Sequence, residues 1–267
     1  MKDETEQVVA RFYNDIGWKT TEGVTEDARL WEDLRACARE YVSKCRLRVL
    51  NHVPAGGDYL LDLGSGPIQY PEYLAYSRGF QKRYCVDLSE AALDQAREKI
   101  GDHGVYLLGS FFDMVLGQDF FDCAISLHVI YHMDKDMQEE AVRKLLHVTK
   151  PGKPVIVVYS NPDTLIHNLK APFRLLRKRM GGEAPAFYFY AHPLGWWRRF
   201  EDMADVAVYP WRSFSSADQR RLIPDNRLGK MMLAMLFRLE QRAPRFFARY
   251  FQYQMIVLTK KNLLVSL

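Results

Sequence analysis

A doubly wound α/β fold, a parallel sheet covered by helices on both faces, is what this sequence predicts. Three features predict it. Short uninterrupted apolar runs alternate with helical segments from Tyr59 to about Ser160. Helix-starting and helix-stopping residues fall at the joints between them. The first apolar run, "YLLDL", passes directly into a glycine-bearing turn, "GSGP". Strands buried on both faces read as continuous apolar runs because helices shield each side, whereas half-exposed strands alternate.

The elements follow in order. Leu30, Leu34, Ala38, Tyr41, Cys45 and Val49 recur near one helical face, which predicts a docking helix ahead of the first strand. "YLLDL" is that strand, followed by helical "YPEYLAYSRG". "RYCVDL" is the second, and "SEAALDQAREKIG" the helix after it, with Ser89 placed to cap it and Gly101 to end it. "VYLLG" is the third, leading into a short irregular piece. "FDCAISL" is the fourth; the next helix should start at a cap on Asp134 and stop at Lys150 to Gly152. "PVIVVYS" is the fifth. "DVAVYPW" and "YQMIVLTK" read as two further strands, and Ser213 to about Tyr250 between them holds a helix between Pro224 and Pro244 and reads as a lid. These patterns divide the chain into an N-terminal helical cap (1–55), the core (56–160), a substrate lid with strand six and a helical insertion (161–250), and a final strand and tail (251–267).

Composition sets the class. At 267 residues, 48% hydrophobic and 26% charged, the chain can bury a large core and is neither disordered nor collagen-like. Cys37, Cys45, Cys85 and Cys123 are scattered with no CxxC pair, so no zinc cluster or disulfide framework is expected, and a reducing cytoplasm fits. The N-terminal "MKDETEQVVARF" is charged where a signal peptide needs an apolar core, and the longest apolar run, Met231 to Phe237, is too short to span a bilayer. Net charge is +4 but uneven. Lys170 to Tyr250 holds 16 basic against 7 acidic residues, so a basic late segment follows an acidic body and favours anionic partners or a peripheral membrane contact.

The turn after the first strand decides the ligand. Gly64 and Gly66 let the backbone turn tightly and a ligand approach it. A dinucleotide fingerprint would need glycine where Gln69 stands, Pro67 removes a donor that a pyrophosphate could use, and no GK[ST] follows for a phosphate-cradling loop. Asp62, ahead of the glycines, would repel a pyrophosphate and attract an ammonium or sulfonium. Asp87, ending the second strand, is placed to accept hydrogen bonds from ribose hydroxyls.

Together, "DLGSG", the acid of "YCVDLS", "FDCAISLHVIYHM" and "LHVTKPGKPVIVVYS" resemble the class I S-adenosylmethionine-dependent methyltransferases of small molecules. The resemblance covers about Tyr59 to Ser160 and the two late strands. It implies a seven-stranded sheet, mostly parallel, with the last strand antiparallel. It implies S-adenosyl-L-methionine as cofactor, with S-adenosyl-L-homocysteine as product. Asp62, Gly64, Ser65 and Gly66 would face the methionine half, Asp87 the ribose and Leu88 the adenine. Ser110 or Asp113 would lie near the adenine amino group, and Leu127 to Ile130 would line the floor by the transferable methyl. The sequence departs from the family at Pro67 and Ile68, where many members have a third glycine, and at Ser110, where many have an acid.

An acceptor hydroxyl must lose a proton, so a base is expected, and His128, His132 and His192 are the candidates. His128 and His132 have no recognisable third ligand for a metal, so none is expected. Phe187 to Tyr190 with Trp196 and Trp197 can wall a planar or sugar-like acceptor, and Arg174, Arg177, Lys178, Arg179, Arg198 and Arg199 can meet an anionic one. The expected function is methyl transfer at oxygen to a small or amphipathic acceptor. The competing readings are an S-adenosylmethionine binder that does not methylate, and a nicotinamide-dependent oxidoreductase, which Asp62 and Gln69 disfavour. Nucleic acid is not an expected partner, because no recognisable binding module is present.

Overall fold

The apolar runs become neighbouring strands of one sheet in a computed structural model, which describes residues 2–165 and 188–262. Phe187, Arg174, Arg177, Lys178 and Arg179 lie outside the described residues. A small hairpin, β1 (Thr20–Thr21) and β2 (Val24–Thr25), precedes the sheet. The sheet contains β3 (Gly57–Leu63), β4 (Phe80–Asp87), β5 (Gly104–Leu108), β6 (Cys123–Leu127), β7 (Pro154–Ser160), β8 (Ala204–Arg212) and β9 (Tyr253–Lys260) in the order β5-β4-β3-β6-β7-β9-β8. All neighbours are parallel except at β9, which is antiparallel to both β7 and β8. The chain winds outward from β3 to β5 and then returns to β6 on the other side of β3. That reversal opens a crevice at the carboxyl ends of β3 and β6, where ligands of such sheets bind.

The strand pattern explains the double burial. Leu60 and Leu61 point to opposite faces, as successive strand residues must, and both are fully buried. Leu61 joins Val86, Ala124, Val155 and Leu145 on one face; Leu60 joins Val49, Ile125, Ile156 and Trp211 on the other.

The helices are α1 (Lys2–Phe12), α2 (Glu26–Trp31), α3 (Arg39–Leu47), α4 (Pro71–Leu74), α5 (Glu90–Ile100), α6 (Gln138–Val148), α7 (Ser216–Leu222), α8 (Arg227–Arg242) and α9 (Pro244–Tyr250). Ser89 caps α5 by accepting from Ala92 N–H at 3.2 Å, and Gly101 ends it with φ of 47°. Asp134 does not cap α6. Its Oδ1 accepts from Asp136 N–H at 3.0 Å, closing a turn, and the helix begins only at Gln138.

The single helix expected ahead of the first strand is two. Glu32 is extended at φ −111° and ψ 151°, with its carboxylate turned inward onto Arg46 and Arg212. That pairing breaks the helix between α2 and α3. Leu30 and Leu34 are consequently exposed, while Ala38, Tyr41, Cys45 and Val49 are buried as the stripe requires. Late in the chain, α8 sets Leu233 against Cys37, Ala38 and Tyr41 of the α3 region. Glu240, buried on α8, accepts from Tyr41 OH and from Arg48 Nη2, each at 2.7 Å. The late helices and the N-terminal helices are thus docked on each other.

Candidate active site

The loop after β3 is held by its neighbour strand. Gly64 and Ser65 N–H donate to Val86 O at 2.8 and 3.2 Å, and Gly66 N–H donates to Asp87 Oδ2 at 2.8 Å. Gly64 and Gly66 have φ of 67° and 54°, a region side chains with a Cβ rarely enter. A Cβ on Gly64 would strike Val129, and one on Gly66 would meet the Trp18 ring at 3.2 Å. Ser65 is buried within the loop, its hydroxyl donating to Gly66 O at 3.2 Å.

Asp87 stands at the loop as its place at a strand end predicts. Besides Gly66, it accepts from Ser89 N–H at 2.9 Å through Oδ1. A carboxylate has about four acceptor sites, so capacity for hydroxyl donors remains. Burial pushes its pKa up to about 6, against the backbone donors. Asp62 corrects the sequence reading. It is buried on β3, with its Oδ2 accepting Nε of the buried Arg83 at 3.0 Å and the same guanidinium's Nη2. Arg83 already neutralises this carboxylate inside the protein, so its charge is not left to draw a cationic ligand.

The N-terminal segment, expected as a helical cap and part of the substrate lid, lies against the glycine turn and the ends of β4 and β5. Tyr13 stacks on Trp18 at 4.8 Å, Ser89 Oγ donates to Asn14 Oδ1 at 2.7 Å, and Ser110 Oγ donates to Glu6 Oε1 at 2.8 Å. Ser110 therefore lies beneath α1, while Asp113 is exposed and Leu88 and Leu127 are partly buried. Trp18 Nε1 is a buried donor with no partner among the described residues. A glycine cradle, an acid with spare acceptor sites and this orphaned donor suit a nucleoside-bearing cofactor.

The three histidines differ. His128 follows β6 with φ of 65°, a strained setting of the kind concentrated at functional sites. Its Nδ1 pairs with Tyr131 OH at 2.9 Å, and its ring meets Trp211 and Tyr253 edge-on at 4.5 and 5.0 Å. Burial, then Arg212, lowers its pKa to about 3, so it is neutral and too weakly basic for the expected role at neutral pH. His132 donates from Nδ1 to Tyr188 O at 2.9 Å, and burial lowers it to about 4. His192 stacks on Trp196 at 4.4 Å and donates from Nε2 to Lys135 O at 3.3 Å. Both tie residues 188–192 to the loop between β6 and α6. His128 and His132 are not on a common α-helix, since Ile130–His132 is a 3-10 turn.

A polar and aromatic cluster gathers beside His128. Glu32 receives Arg46 at 2.8 Å and also Arg212; the two guanidiniums outweigh burial and hold its pKa down at about 2. Arg46 lies over Tyr70 at 3.3 Å, and Arg212 over Tyr253 at 5.1 Å. Arg46 Nε, Arg212 Nε and Trp211 Nε1 are buried without partners among the described residues. Nearby Asp27, partly buried, is pushed up to about 7 by burial and by Glu32. Its field reaches Tyr13, which also feels Asp87, and Tyr131. No local motif marks Asp27, Glu32 or Arg212; only acids interrupting an apolar stripe in "TEDARLWED" hint at the first two. A groove of about 320 Å³ lined by Lys44, Arg48, His52, Tyr209 and Glu240 shares none of these residues.

Comparisons with known proteins agree with the fold. Residues 61–157 match the family model described as a methyltransferase domain. No curated protein matches the chain in sequence. Geranyl diphosphate C-methyltransferase from Streptomyces coelicolor A3(2), solved with S-adenosylhomocysteine, superposes with a TM-score of 0.56 at 15% identity over 96% of this chain and 97% of that one. Magnesium protoporphyrin IX methyltransferase from Synechocystis PCC 6803, with bound SAM, gives 0.54 at 12% identity over 97% of both chains. Haemonchus contortus phosphoethanolamine N-methyltransferase 2, with S-adenosylmethionine, gives 0.52 at 16% identity over 82% of this chain and 53% of that one. At these identities the likeness is one of fold.

Proposed function

Given that the chain is built around a class I S-adenosylmethionine-dependent methyltransferase domain, we propose that it methylates a hydroxyl oxygen of a small or amphipathic acceptor bound beside His128. When bound, S-adenosylmethionine supplies a methyl group on a sulfonium, open to in-line displacement. Gly64, Ser65 and Gly66 would hold its amino-acid half, Asp87 its ribose, and Leu88, Ser110 and Leu127 would border the remainder. Tyr13 and Trp18 cover the crevice and exclude water.

What supports the oxygen reading is Asp27, a carboxyl beside Glu32 that burial and that neighbour raise to about 7. Bases near the operating pH transfer protons most effectively. Asp27 takes the acceptor hydroxyl's proton, and neutral His128, paired with Tyr131, orients the oxygen. The spare donors of Arg46, Arg212 and Trp211 bind the acceptor's polar or anionic end.

The test presents hydroxylated aromatic and amphipathic acceptors with isotopically labelled methyl donor and identifies the product by mass spectrometry. The expected outcome is an O-methyl product, with a rate that rises with pH through about 7, since the base acts only when ionised. Asp27→Asn removes that rising limb and lowers kcat about 10²- to 10⁴-fold. An N- or C-methyl product, or an unchanged pH profile in the variant, refutes the assignment.

A further inference from the structure

We propose that the outer face of α8 is a docking surface for an anionic phospholipid bilayer. One side of this helix is used internally: Gly229, Leu233 and Glu240 are buried toward α3, with Leu236 and Phe237 packed beside them. The other side carries Leu228, Met231, Met232, Met235 and Leu239. At 3.6 residues per turn these five share a sector of about 100°. All five are exposed, Met231 and Met235 to 69% and 62%. Single exposed apolar residues are ordinary on a protein surface; a continuous strip on one helix marks a partner.

Charge identifies that partner. From Ser216 to Tyr250 there are eight basic residues against three acidic ones, and one of the acids, Glu240, is buried on Arg48. Among the described residues Arg221, Arg227, Arg238, Arg242 and Arg245 are exposed and have no carboxylate partner. Helical spacing puts Arg227 and Arg238 along one border of the apolar strip and Arg242 at its C-terminal end. A second copy docked antiparallel through this face would set that border close to its own symmetry mate, positive on positive. A nucleic acid would satisfy the arginines and leave methionine and leucine facing water. An anionic bilayer meets both demands: the strip enters the acyl boundary while the guanidiniums contact phosphates. Methionine, unbranched and adaptable, suits an interface without fixed shape.

A second element lies next to the same helices. Ser216 Oγ donates to Trp31 O and Arg220 Nη1 to Glu32 O, each at 2.6 Å, so α7 fixes the segment that exposes Trp31. Indoles favour the level of lipid headgroups. Glu32, the next residue, pairs with Arg212 beside His128. The segment that bears exposed Trp31 is thus linked directly to the polar cluster. The inference holds whichever atom is methylated.

The test sediments the full chain with sucrose-loaded vesicles of phosphatidylcholine, alone or with a third phosphatidylglycerol. We expect co-sedimentation with the anionic vesicles only, fading as salt shortens the screening length. The triple variant Met231→Ser, Met235→Ser, Leu239→Ser should lower partitioning about tenfold, with unchanged melting temperature and unchanged S-adenosylhomocysteine binding. Arg238→Ala with Arg242→Ala should weaken binding and flatten its salt dependence. Absence of vesicle binding overturns the proposal. So does equal binding to both vesicle types, or a dimer in light scattering that the triple variant abolishes, which would assign this face to a second copy.

Discussion

Single residues carry the main difference between what the sequence says and what the fold does with it. Asp62 sits in the family-like "DLGSG" and reads as a ligand for a cation, yet Arg83, 21 positions on, occupies its carboxylate. A buried ion pair is costly to break from one side, because the remaining charge stays desolvated. Asp62→Asn should therefore destabilise the protein by about 3–5 kcal/mol in urea unfolding, and Asp62→Leu with Arg83→Met should recover most of that loss. A double variant as unstable as the single would show that the pair is not the source. The turn at Gly64 and Gly66 and the place of Asp87 at a strand end were legible because both are local features. Asp27, Glu32 and Arg212 were not, because their roles arise from contacts between residues as far as 180 positions apart, which no local spacing encodes. His128 shows the intermediate case: its place after β6 is legible, but a sequence does not reveal the burial that lowers its pKa to about 3.

At the scale of elements, the core strands were legible and the N-terminal segment was only half so. Continuous apolar runs such as "PVIVVYS" have one stable use, as strands covered on both faces. The stripe from Leu30 to Val49 fits a helix equally well with or without a break, and the break depends on Glu32 finding its arginines. The sequence suggests an N-terminal helical cap, but periodicity does not say that α1 and the turn after it reach Ser89, Ser110 and the glycine turn. If Trp18 covers the bound cofactor, Trp18→Ala should speed S-adenosylhomocysteine release about tenfold in stopped-flow fluorescence, the loss of roughly one aromatic contact. Melting temperature should change little, since Trp18 is only partly buried and its Nε1 has no partner to lose. An unchanged release rate would mean that this segment stands aside when the ligand is present.

For the whole molecule, the crevice joins three separate stretches of chain: the N-terminal cover, the β3–β6 centre of the sheet and the end of β8. A ligand that bridges them should stabilise all of them together. At a concentration of about 100 times Kd, S-adenosylhomocysteine should raise the unfolding free energy by about 2.7 kcal/mol, visible as a shift of several degrees in thermal melting. NADH should give none; a shift with NADH alone would reinstate the oxidoreductase reading. The placement of β9 between β7 and β8 has a further consequence, one that concerns how the chain is made. β7 is almost wholly apolar and buried, and the strand that pairs with its outer edge begins more than ninety residues later. At roughly 5–20 residues per second, that edge waits on the order of 5–20 s during synthesis with its amides and carbonyls unpaired. An unpaired, uncharged strand is a template for association with other chains. Nascent chains paused before Tyr253 should therefore be the aggregation-prone species, and those in which β9 has emerged should be free of that hazard.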